Sequence, residues 1–481
     1  MRLRNVRYQY LVAIAFVFGT FMDILDTTIT NVAIPQLRAH FGVGRTTIEW
    51  VVTGYLCSLA VWIPAAGWIG DRFGTKKTFL LFALAMFAGA SALCGASWSA
   101  GSLIAFRVQG LGGGMLTPAG TAMLFRAFPL RERAQASSIL AIPTVLAPAL
   151  GGLIVTHTSW RWIFSVNVPI GIAGFVFAAL YLEEYTEPRA GGFDVWGFVL
   201  SGSGLALVLY ALATAPNKGW LSGVVLLTGI GGLLAFVTLV IVELRIPYPM
   251  LYLRLFGNRL FRTTNIASLM SSGSLLGLIF LLPLFLQELR GLSALQSGLT
   301  TFPQALGVMI MARVVGKIYP RIGPRPLLVF GLSMTTLVTS CFVFIDLGTS
   351  LWYIRLLMFG RGLAMAFAFI PLQAATFASV PPEDTGRASS IFSTQRQIGA
   401  ALGVAILATV LTSRTGSLVR KAIPNGDVDV LNARVTAFHQ ALFAAAVLAA
   451  LGIIASLFVL DSDAAASMRL ERSKQTRSDR Q

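Results

Sequence analysis

Cysteine and histidine are scarce in this chain of 481 residues, which holds three of each. The cysteines stand alone within apolar runs, so neither a disulfide framework nor a Cys-x-x-Cys metal knuckle can be built from them. The histidines are as widely separated and offer no set of zinc or haem ligands. The sequence therefore predicts no metal and no cofactor. The six residues are Cys57, Cys94, Cys341, His40, His157 and His439.

Charged residues are also few, at 12% against 56% hydrophobic residues, and the mean hydropathy is +0.75. This composition excludes an ordinary soluble domain and indicates a polytopic membrane protein. The sequence contains no catalytic cluster and no sizeable polar domain, which disfavours a membrane enzyme or receptor. The net charge of +17 lies mostly in short loops and at the termini, where anionic lipid explains it better than nucleic acid does.

Long apolar runs fill most of the chain, and a membrane span needs about 20 such residues. With both termini in the cytoplasm, 23 Lys and Arg residues fall in cytoplasmic segments and 10 in external ones, which selects this orientation in the plasma (inner) membrane. The first run is too long for a cleaved signal peptide. About fourteen transmembrane helices are predicted, near 11–34, 47–69, 77–97, 101–126, 134–156, 162–182, 194–214, 221–243, 263–287, 295–316, 326–346, 351–378, 387–411 and 436–460.

Two short segments occur twice, at nearly equal separations. The glycine-rich loop at 67–77 has a weaker image at 316–325, 249 positions later, in which Pro320 replaces Asp71. The four residues 136–139 recur 252 positions later. This repeat predicts an all-α polytopic protein of two six-helix bundles with two helices inserted between them. The predicted segments are an N-terminal bundle, an insert with its cytoplasmic linker, a C-terminal bundle and a basic cytoplasmic tail, at 1–190, 191–258, 259–465 and 466–481.

The loop at 67–77 carries a family signature as well. Five residues match the cytoplasmic loop pattern Gly-x-Leu-Ala-Asp-Arg-x-Gly-Arg-Lys, namely Gly67, Asp71, Arg72, Gly74 and Lys76. The segments 25–35 and 160–171 match two more signatures of the same branch. Over nearly its full length the chain resembles the fourteen-span drug:proton antiporters of the major facilitator superfamily, whose two halves are related by an axis along the membrane normal.

The resemblance implies a function as well as the major facilitator fold. It implies export of amphipathic small molecules, drugs or organic cations above all, by alternating access and in exchange for protons. The proton gradient is then the energy source, and the partners are the substrate, protons and membrane lipids. A periplasmic adaptor protein is left open for a double-membrane bacterium. An importer, a facilitator, or a lipid or metabolite exporter of the same fold is the alternative, because family membership fixes architecture better than substrate.

Two further signatures of that family occur in altered form. The fourth-helix pattern Arg-x-x-Gln-Gly is one residue shorter here, which turns Arg107 about 100° relative to Gln109. The fifth-helix antiporter pattern ends in Gly-Pro-x-x-Gly-Gly and is matched in part at 147–152. It predicts a bent, tightly packed helix, for which a structural kink competes with a role in gating. The helix-five residues are Pro143, Pro148, Gly151 and Gly152.

Two carboxylates lie at membrane depth on the first helix. Asp23 and Asp26 are three residues apart, and Thr27 and Thr30 extend the same polar face. An ionised aspartate there costs roughly 3 kcal/mol, so such a group normally faces a cavity or a partner. A carboxyl that changes partners during a cycle can load and release a proton. We interpret both as coupling residues, against the alternative of a hydrogen bond between helices.

Three arginines within predicted helices are candidates for the opposite charge. Arg107 is interpreted as a relay or counter-charge for the two aspartates, and the alternative is a static buried salt bridge. Arg396 and Arg361 are the candidates in the second half. In the loop, Asp71 is expected near the N-terminus of a second-half helix, where attraction to the helix dipole would latch one state of the transporter. A solvated loop charge is the alternative for Asp71.

Overall fold

The structure is a computed structural model that describes residues 7–109, 112–139, 143, 159–188, 191–423 and 427–468. Within these ranges the chain is helical and forms no β-strand, which confirms the predicted all-α class. The helices before the insert are α1 Tyr8–Phe41, α2 Arg45–Trp62, α3 Ala66–Phe73, α4 Thr75–Gly95, α5 Ala100–Val108, α6 Gly113–Ala127, α7 Arg133–Ile139 and α8 Arg161–Tyr181. The later ones are α9 Val195–Lys218, α10 Gly223–Arg245, α11 Arg259–Leu289, α12 Leu295–Ile322, α13 Pro324–Phe344, α14 Leu351–Ala378, α15 Thr385–Ala422 and α16 Asp427–Leu457.

The described residues contain eleven helices long and apolar enough to cross a membrane. A twelfth span forms if α2 and α3, which are bent by 48° at a short break, count as one. Each of these twelve coincides with one predicted span. The other two predicted spans, 101–126 and 134–156, include positions outside the described residues. The total of fourteen therefore stays a prediction.

The helices that contain the predicted spans 387–411 and 436–460 are longer than the spans. α15 continues to Ala422 and α16 begins at Asp427. The predicted spans end where each apolar run ends, but a helix needs no apolar residues beyond the bilayer. The arginines and lysine counted as external between the two spans lie on these helices, at Arg414, Arg420, Lys421 and Arg434.

The two halves repeat each other in contact as well as in sequence. Gly67, at the end of the second span, packs against the backbone of Gly386 at the start of α15. Gly316 of α12 packs in the same way against the backbone of Ala134 at the start of α7. The pairs are related by the offsets of the sequence repeat. The structure thus supports two related bundles that meet at the ends of corresponding helices.

Glycine is required in both related loops. Gly74 has φ +104° and Gly323 has φ +91°, a region that other residues rarely adopt. Each glycine separates two helices, Gly74 between α3 and α4 and Gly323 between α12 and α13. The glycine at the eighth position of the repeated segment is therefore explained by backbone conformation.

The inserted helices α9 and α10 form a hairpin beside the bundles. α9 packs against α10 and also against α2 of the first half and α15 of the second. Leu205 and Leu209 of α9 form a buried cluster with Ala60 of α2, and Ile398 of α15 packs on it. α10 presents most of its apolar side chains outward. The sequence predicted the insert outside the bundles but gave no indication that α9 contacts both.

The halves meet at the end of the molecule that carries the repeated loops. There α3 and α6 contact α15, while α7 contacts α12 and α14. The rings of Phe125 and Phe377 stack across the junction with their centroids 4.4 Å apart. This end is closed.

Candidate functional site

A buried ion pair joins α1 to α5. Nη1 of Arg107 donates a hydrogen bond of 2.5 Å to Oδ2 of Asp26, and the two side chains are 4% and 0% exposed. The other carboxylate oxygen, Oδ1, is buried and has no hydrogen-bond partner among the described residues. A charge pair this deep is stable only while both partners are present. The arrangement leaves one carboxylate oxygen at which a proton can add.

The guanidinium of Arg107 is held by α2 as well. Its Nε donates to the carbonyl of Val51 at 3.3 Å, and its carbon lies 3.9 Å from the ring centroid of Tyr55. The hydroxyl of Tyr55 is buried without a hydrogen-bond partner in the described part of the chain. The aromatic face of Tyr55 therefore stabilises the guanidinium in the position in which it bonds Asp26. Sequence reasoning missed Tyr55, because a single tyrosine in an apolar run gives no periodic signal.

The shortened fourth-helix motif still directs its arginine inward. Arg107 is buried, whereas Gln109, two residues later, is exposed. The lost residue has therefore turned the glutamine, not the arginine, away from the pair. Gly114 lies against the backbone of Leu59 in α2, as expected for a glycine that permits close helix approach.

Asp23 lies one turn from Asp26 in a less enclosed position. Thr117 of α6 donates a hydrogen bond of 3.0 Å to its Oδ2. Arg396 of α15, in the other half, lies within Coulombic range of this carboxylate. Thr117 was also missed, since a lone threonine is common in such helices. Asp23 is thus the first-half carboxylate that faces a cation of the second half.

The two second-half arginines differ in their surroundings. Arg396 is partly buried and makes no hydrogen bond within the described ranges, and Gly399 and Gly403 on its face pack against the backbone of α11. Arg361 is fully buried inside the second half, and its Nη1 donates to Oε1 of Gln304 at 2.6 Å. Its remaining acceptors are neutral as well: Thr339 Oγ1 and the carbonyls of Ser274 and Leu275. The structure brings Arg396, but not Arg361, towards the aspartates.

Asp71 lies at the start of a second-half helix, the position expected from the sequence. Its carboxylate is buried against Gly386, in the first turn of α15. Nη2 of Arg126 donates a hydrogen bond of 2.6 Å to Oδ1 of the same carboxylate. The positive end of the helix dipole and the guanidinium both stabilise the negative charge there. Sequence reasoning counted Arg126 only as a cytoplasmic loop charge.

Arg126 connects Asp71 to three other segments. It donates to Oγ1 of Thr75 at 2.8 Å and to the carbonyl of Pro382 at 3.2 Å. The ring of Tyr185, in the segment after α8, lies 4.2 Å from its guanidinium carbon. We call Asp71 and Arg126 the latch. It joins α3, the start of α15 and the chain that follows α8.

The other loop-motif residues have separate environments. Nζ of Lys76 donates to the carbonyls of Ala179 and Leu182 at 2.8 and 2.6 Å, which satisfies the end of α8. Arg72 is exposed. Gly67 and Gly74 permit the packing and the turn described above. The motif therefore combines one latch residue, one helix cap and two backbone requirements.

A carboxylate caps the helix after each repeated loop. Glu184 accepts a hydrogen bond of 3.0 Å from the backbone N–H of Lys76, in the first turn of α4. In the second half Asp461 accepts one of 2.8 Å from the N–H of Arg325, in the first turn of α13. Both acids follow the last helix of their own half. An acid there is favoured by the helix dipole, so each loop is fixed to its own bundle.

Glu184→Gln is expected to lower the stability of the folded protein by about 0.5–1 kcal/mol, because the amide loses the charge that favours the helix N-terminus. The measurement is the thermal unfolding midpoint in detergent. Glu183→Gln is the matched control, since Glu183 is equally exposed and its carboxylate caps no helix in the described residues. An equal midpoint for the two variants would contradict the capping role of Glu184.

The described contacts across the halves include four hydrogen bonds, all at the closed end. Two of them involve neighbouring serines at the start of α15. The donors and acceptors are Gly67 N–H to Ser390 Oγ (2.8 Å), Ser389 Oγ to the Pro118 carbonyl (2.8 Å), Arg126 Nε to the Pro382 carbonyl (3.2 Å), and Arg133 Nη1 to the Phe377 carbonyl. Together with the latch they hold this end shut.

Parts of the predicted site lie outside the described residues. Pro143 is helical and buried, but Pro148, Gly151 and Gly152 are not described, so the helix-five interpretation stays a prediction. Among the described residues no three His, Cys, Asp or Glu side chains come close enough to hold a metal ion. The three cysteines are free.

Comparison with known proteins places this geometry in a family. A model described as Major Facilitator Superfamily matches residues 16–404. The multidrug resistance protein B homolog of Mycobacterium tuberculosis is 33% identical over 406 residues, 82% of this chain and 75% of that protein. The MFS-type transporter YhcA of Bacillus subtilis, itself uncharacterized, is 32% identical over 417 residues, 86% and 78% of the two chains. The human organic anion transporter MFSD10 shares the fold, with a TM-score of 0.67 at 15% identity over 93% of this chain and 99% of that one.

Proposed function

Because this chain belongs to the major facilitator superfamily, we propose that it is a proton-coupled antiporter that exports amphipathic small molecules by alternating access. The observation that carries the proposal is the buried pair of Asp26 and Arg107. It provides a carboxylate with one unoccupied oxygen, and an arginine that also contacts the aromatic face of Tyr55.

In this mechanism protonation of Asp26 removes the charge that holds Arg107. The arginine then keeps its contacts with Tyr55 and the Val51 carbonyl, while the neutral carboxyl separates from it. Loss of the proton restores the pair. Since an unpaired buried charge is costly, the two states differ in free energy by enough to drive a rearrangement.

Asp23 has a different part in the proposal. Its carboxylate is less enclosed and is attracted to Arg396 across the halves. A cationic substrate would compete with Arg396 for this carboxylate, and a neutral one would not. Asp23 therefore sets the preference for cations and provides a second site for a proton.

The closed end corresponds to one state of the alternating-access cycle. The excess of Lys and Arg in its loops favours a cytoplasmic location, with both termini on the same side of the plasma (inner) membrane. The latch then stabilises the outward-facing state, in which the substrate leaves and protons enter. Conversion to the inward-facing state requires Asp71 to leave the start of α15.

The names of the relatives support the substrate class. The relative in Mycobacterium tuberculosis is called a multidrug resistance protein, and it aligns with most of this chain. We infer drugs or organic cations as substrates, with membrane lipid as the surroundings. An importer, a facilitator and a lipid or metabolite exporter are the competing functions. A periplasmic adaptor stays a prediction of the resemblance.

The test uses purified protein in liposomes loaded with a fluorescent organic cation such as ethidium. An imposed pH gradient, acidic on the side to which the substrate is exported, is expected to drive ethidium against its own gradient. Substrate counterflow is expected with and without the pH gradient. Counterflow without uphill transport would identify a facilitator, and uphill movement in the direction of the protons would identify a symporter.

A further inference from the structure

A cavity in the second half is lined by none of the coupling residues. It has a volume of about 390 Å³, opens to the exterior, and is bounded by α15, α16 and the end of α13. Pockets that bind small molecules or parts of larger ones begin at about 300 Å³. His439 of α16 lines this cavity and is separated from Leu457 by about 27 Å of helix. The cavity therefore lies near the membrane surface opposite the repeated loops, since the hydrocarbon layer is about 30 Å thick.

Some polar groups of the cavity are available to a ligand, and one already has partners within the protein. Arg414 of α15 is exposed and forms no ion pair among the described residues, so it offers donors to an anion. Oε1 of Gln440 is buried and lacks a hydrogen-bond donor in the same part of the chain. Nε2 of His439 is already engaged, at 2.8 Å from the Ile345 carbonyl and 3.7 Å from the exposed carboxylate of Asp346. The cavity thus offers donors to an anion at Arg414, and the carbonyl oxygen of Gln440 has no donor among the described residues.

The apolar surroundings continue from the cavity into the bilayer. Val343, Val410 and Phe443 line it, and Phe443 is 61% exposed. Val447 and Leu451 are also exposed and follow Phe443 at intervals of four residues on α16, which places the three on one helix face. This face gives an apolar track that begins at the cavity. A ligand with a polar head and a long apolar tail matches both parts.

We propose that this cavity binds the headgroup of a membrane phospholipid, with the phosphate at Arg414, a headgroup O–H or N–H at Gln440, and an acyl chain along α16. Glycerol and ethanolamine headgroups have the required donor, whereas choline has neither an O–H nor an N–H. The site is independent of the proposed antiport. It lies on the outer surface of the second half and includes none of the coupling residues.

The experiment titrates delipidated protein with phosphatidylglycerol, phosphatidylethanolamine or phosphatidylcholine of the same acyl chains and counts retained lipids by native mass spectrometry. The glycerol and ethanolamine lipids are expected to bind several-fold more tightly than the choline lipid. Arg414→Gln is expected to weaken all three about tenfold. Arg420→Gln is the matched control, an equally exposed arginine of α15 outside the cavity.

Gln440→Leu separates the two parts of the proposal. It is expected to remove the preference over the choline lipid while leaving phosphate-dependent binding in place. Equal affinities for Arg414→Gln and Arg420→Gln would overturn the phosphate site. Displacement of the lipid by glycerol 3-phosphate at equal concentration would show that the cavity recognises a soluble phosphate, against the lipid proposed here.

Discussion

Asp26→Asn is expected to abolish uphill, pH-driven efflux of every substrate. The amide is nearly isosteric and can still accept a hydrogen bond from Arg107, but it cannot exchange a proton. Removing one partner of a buried ion pair costs about 3–5 kcal/mol in other proteins. A fall in the unfolding midpoint is therefore expected as well. The measurement is ethidium efflux in liposomes at a fixed pH gradient.

Counterflow distinguishes lost coupling from lost folding in this variant. Exchange of labelled for unlabelled substrate needs no proton, so a folded Asp26→Asn protein should retain it. Asp23→Asn is the matched control on the same helix face, and it is expected to spare neutral substrates and impair cationic ones. Uphill efflux by Asp26→Asn would place the proton site elsewhere and refute the mechanism.

The energy available from protons explains why two carboxylates matter. One proton that enters down about 100 mV and one pH unit supplies roughly 3.7 kcal/mol. Exchange for a monovalent cation cancels the electrical part and leaves about 1.4 kcal/mol, a tenfold gradient. Steep export of a cation therefore needs more than one proton per cycle. Asp23 and Asp26, one turn apart on α1, provide two carboxyl groups for this purpose.

Asp71→Asn is the second change with a large expected effect, a loss of transport of about tenfold or more. A coupling of 1–3 kcal/mol shifts a two-state equilibrium by about 5–150-fold. The carboxylate has both a guanidinium and a helix N-terminus as partners, and the amide loses the attraction of each. Arg72→Lys is the matched control, because Arg72 is an exposed residue of the same helix, α3, and lysine keeps its charge.

The readout for the latch is the initial rate of efflux at saturating substrate. Arg126→Gln should resemble Asp71→Asn, since it removes the partner of the same ion pair. Near-normal rates for both Asp71→Asn and Arg72→Lys would show that the buried ion pair of Asp71 has no effect on the cycle.

Sequence alone predicted the site residues that stand out from their segment, either as a charge among apolar residues or as part of a family signature. Asp26 and Arg107 were recognisable because a charge at membrane depth normally faces a cavity or a partner, and Asp71 because it matches the aspartate of the loop signature. Tyr55, Thr117 and Arg126 carry no such contrast. Each is ordinary for its segment, and only the packing of helices distant in sequence gives it a partner.

The fold was also predictable in part from the sequence and in part not. The apolar runs and the repeat predicted the spans, because burial in lipid constrains composition directly. The ends of α15 and α16 beyond their spans were not predictable from the apolar runs, since outside the bilayer helix length does not depend on hydrophobicity. The contact of α9 with both halves was not predictable, because an apolar helix face can pack equally well against lipid and against another helix.

The closed end has a consequence for turnover. Hydrogen bonds in proteins contribute about 0.5–1.5 kcal/mol each, so the four across the halves amount to roughly 2–6 kcal/mol. That is the same size as the free energy of a single proton at a typical gradient. Much stronger contacts at this end would slow its opening and stall the cycle, and much weaker ones would allow a leak through the protein. The number of hydrogen bonds across the halves therefore matches the free energy that one proton supplies.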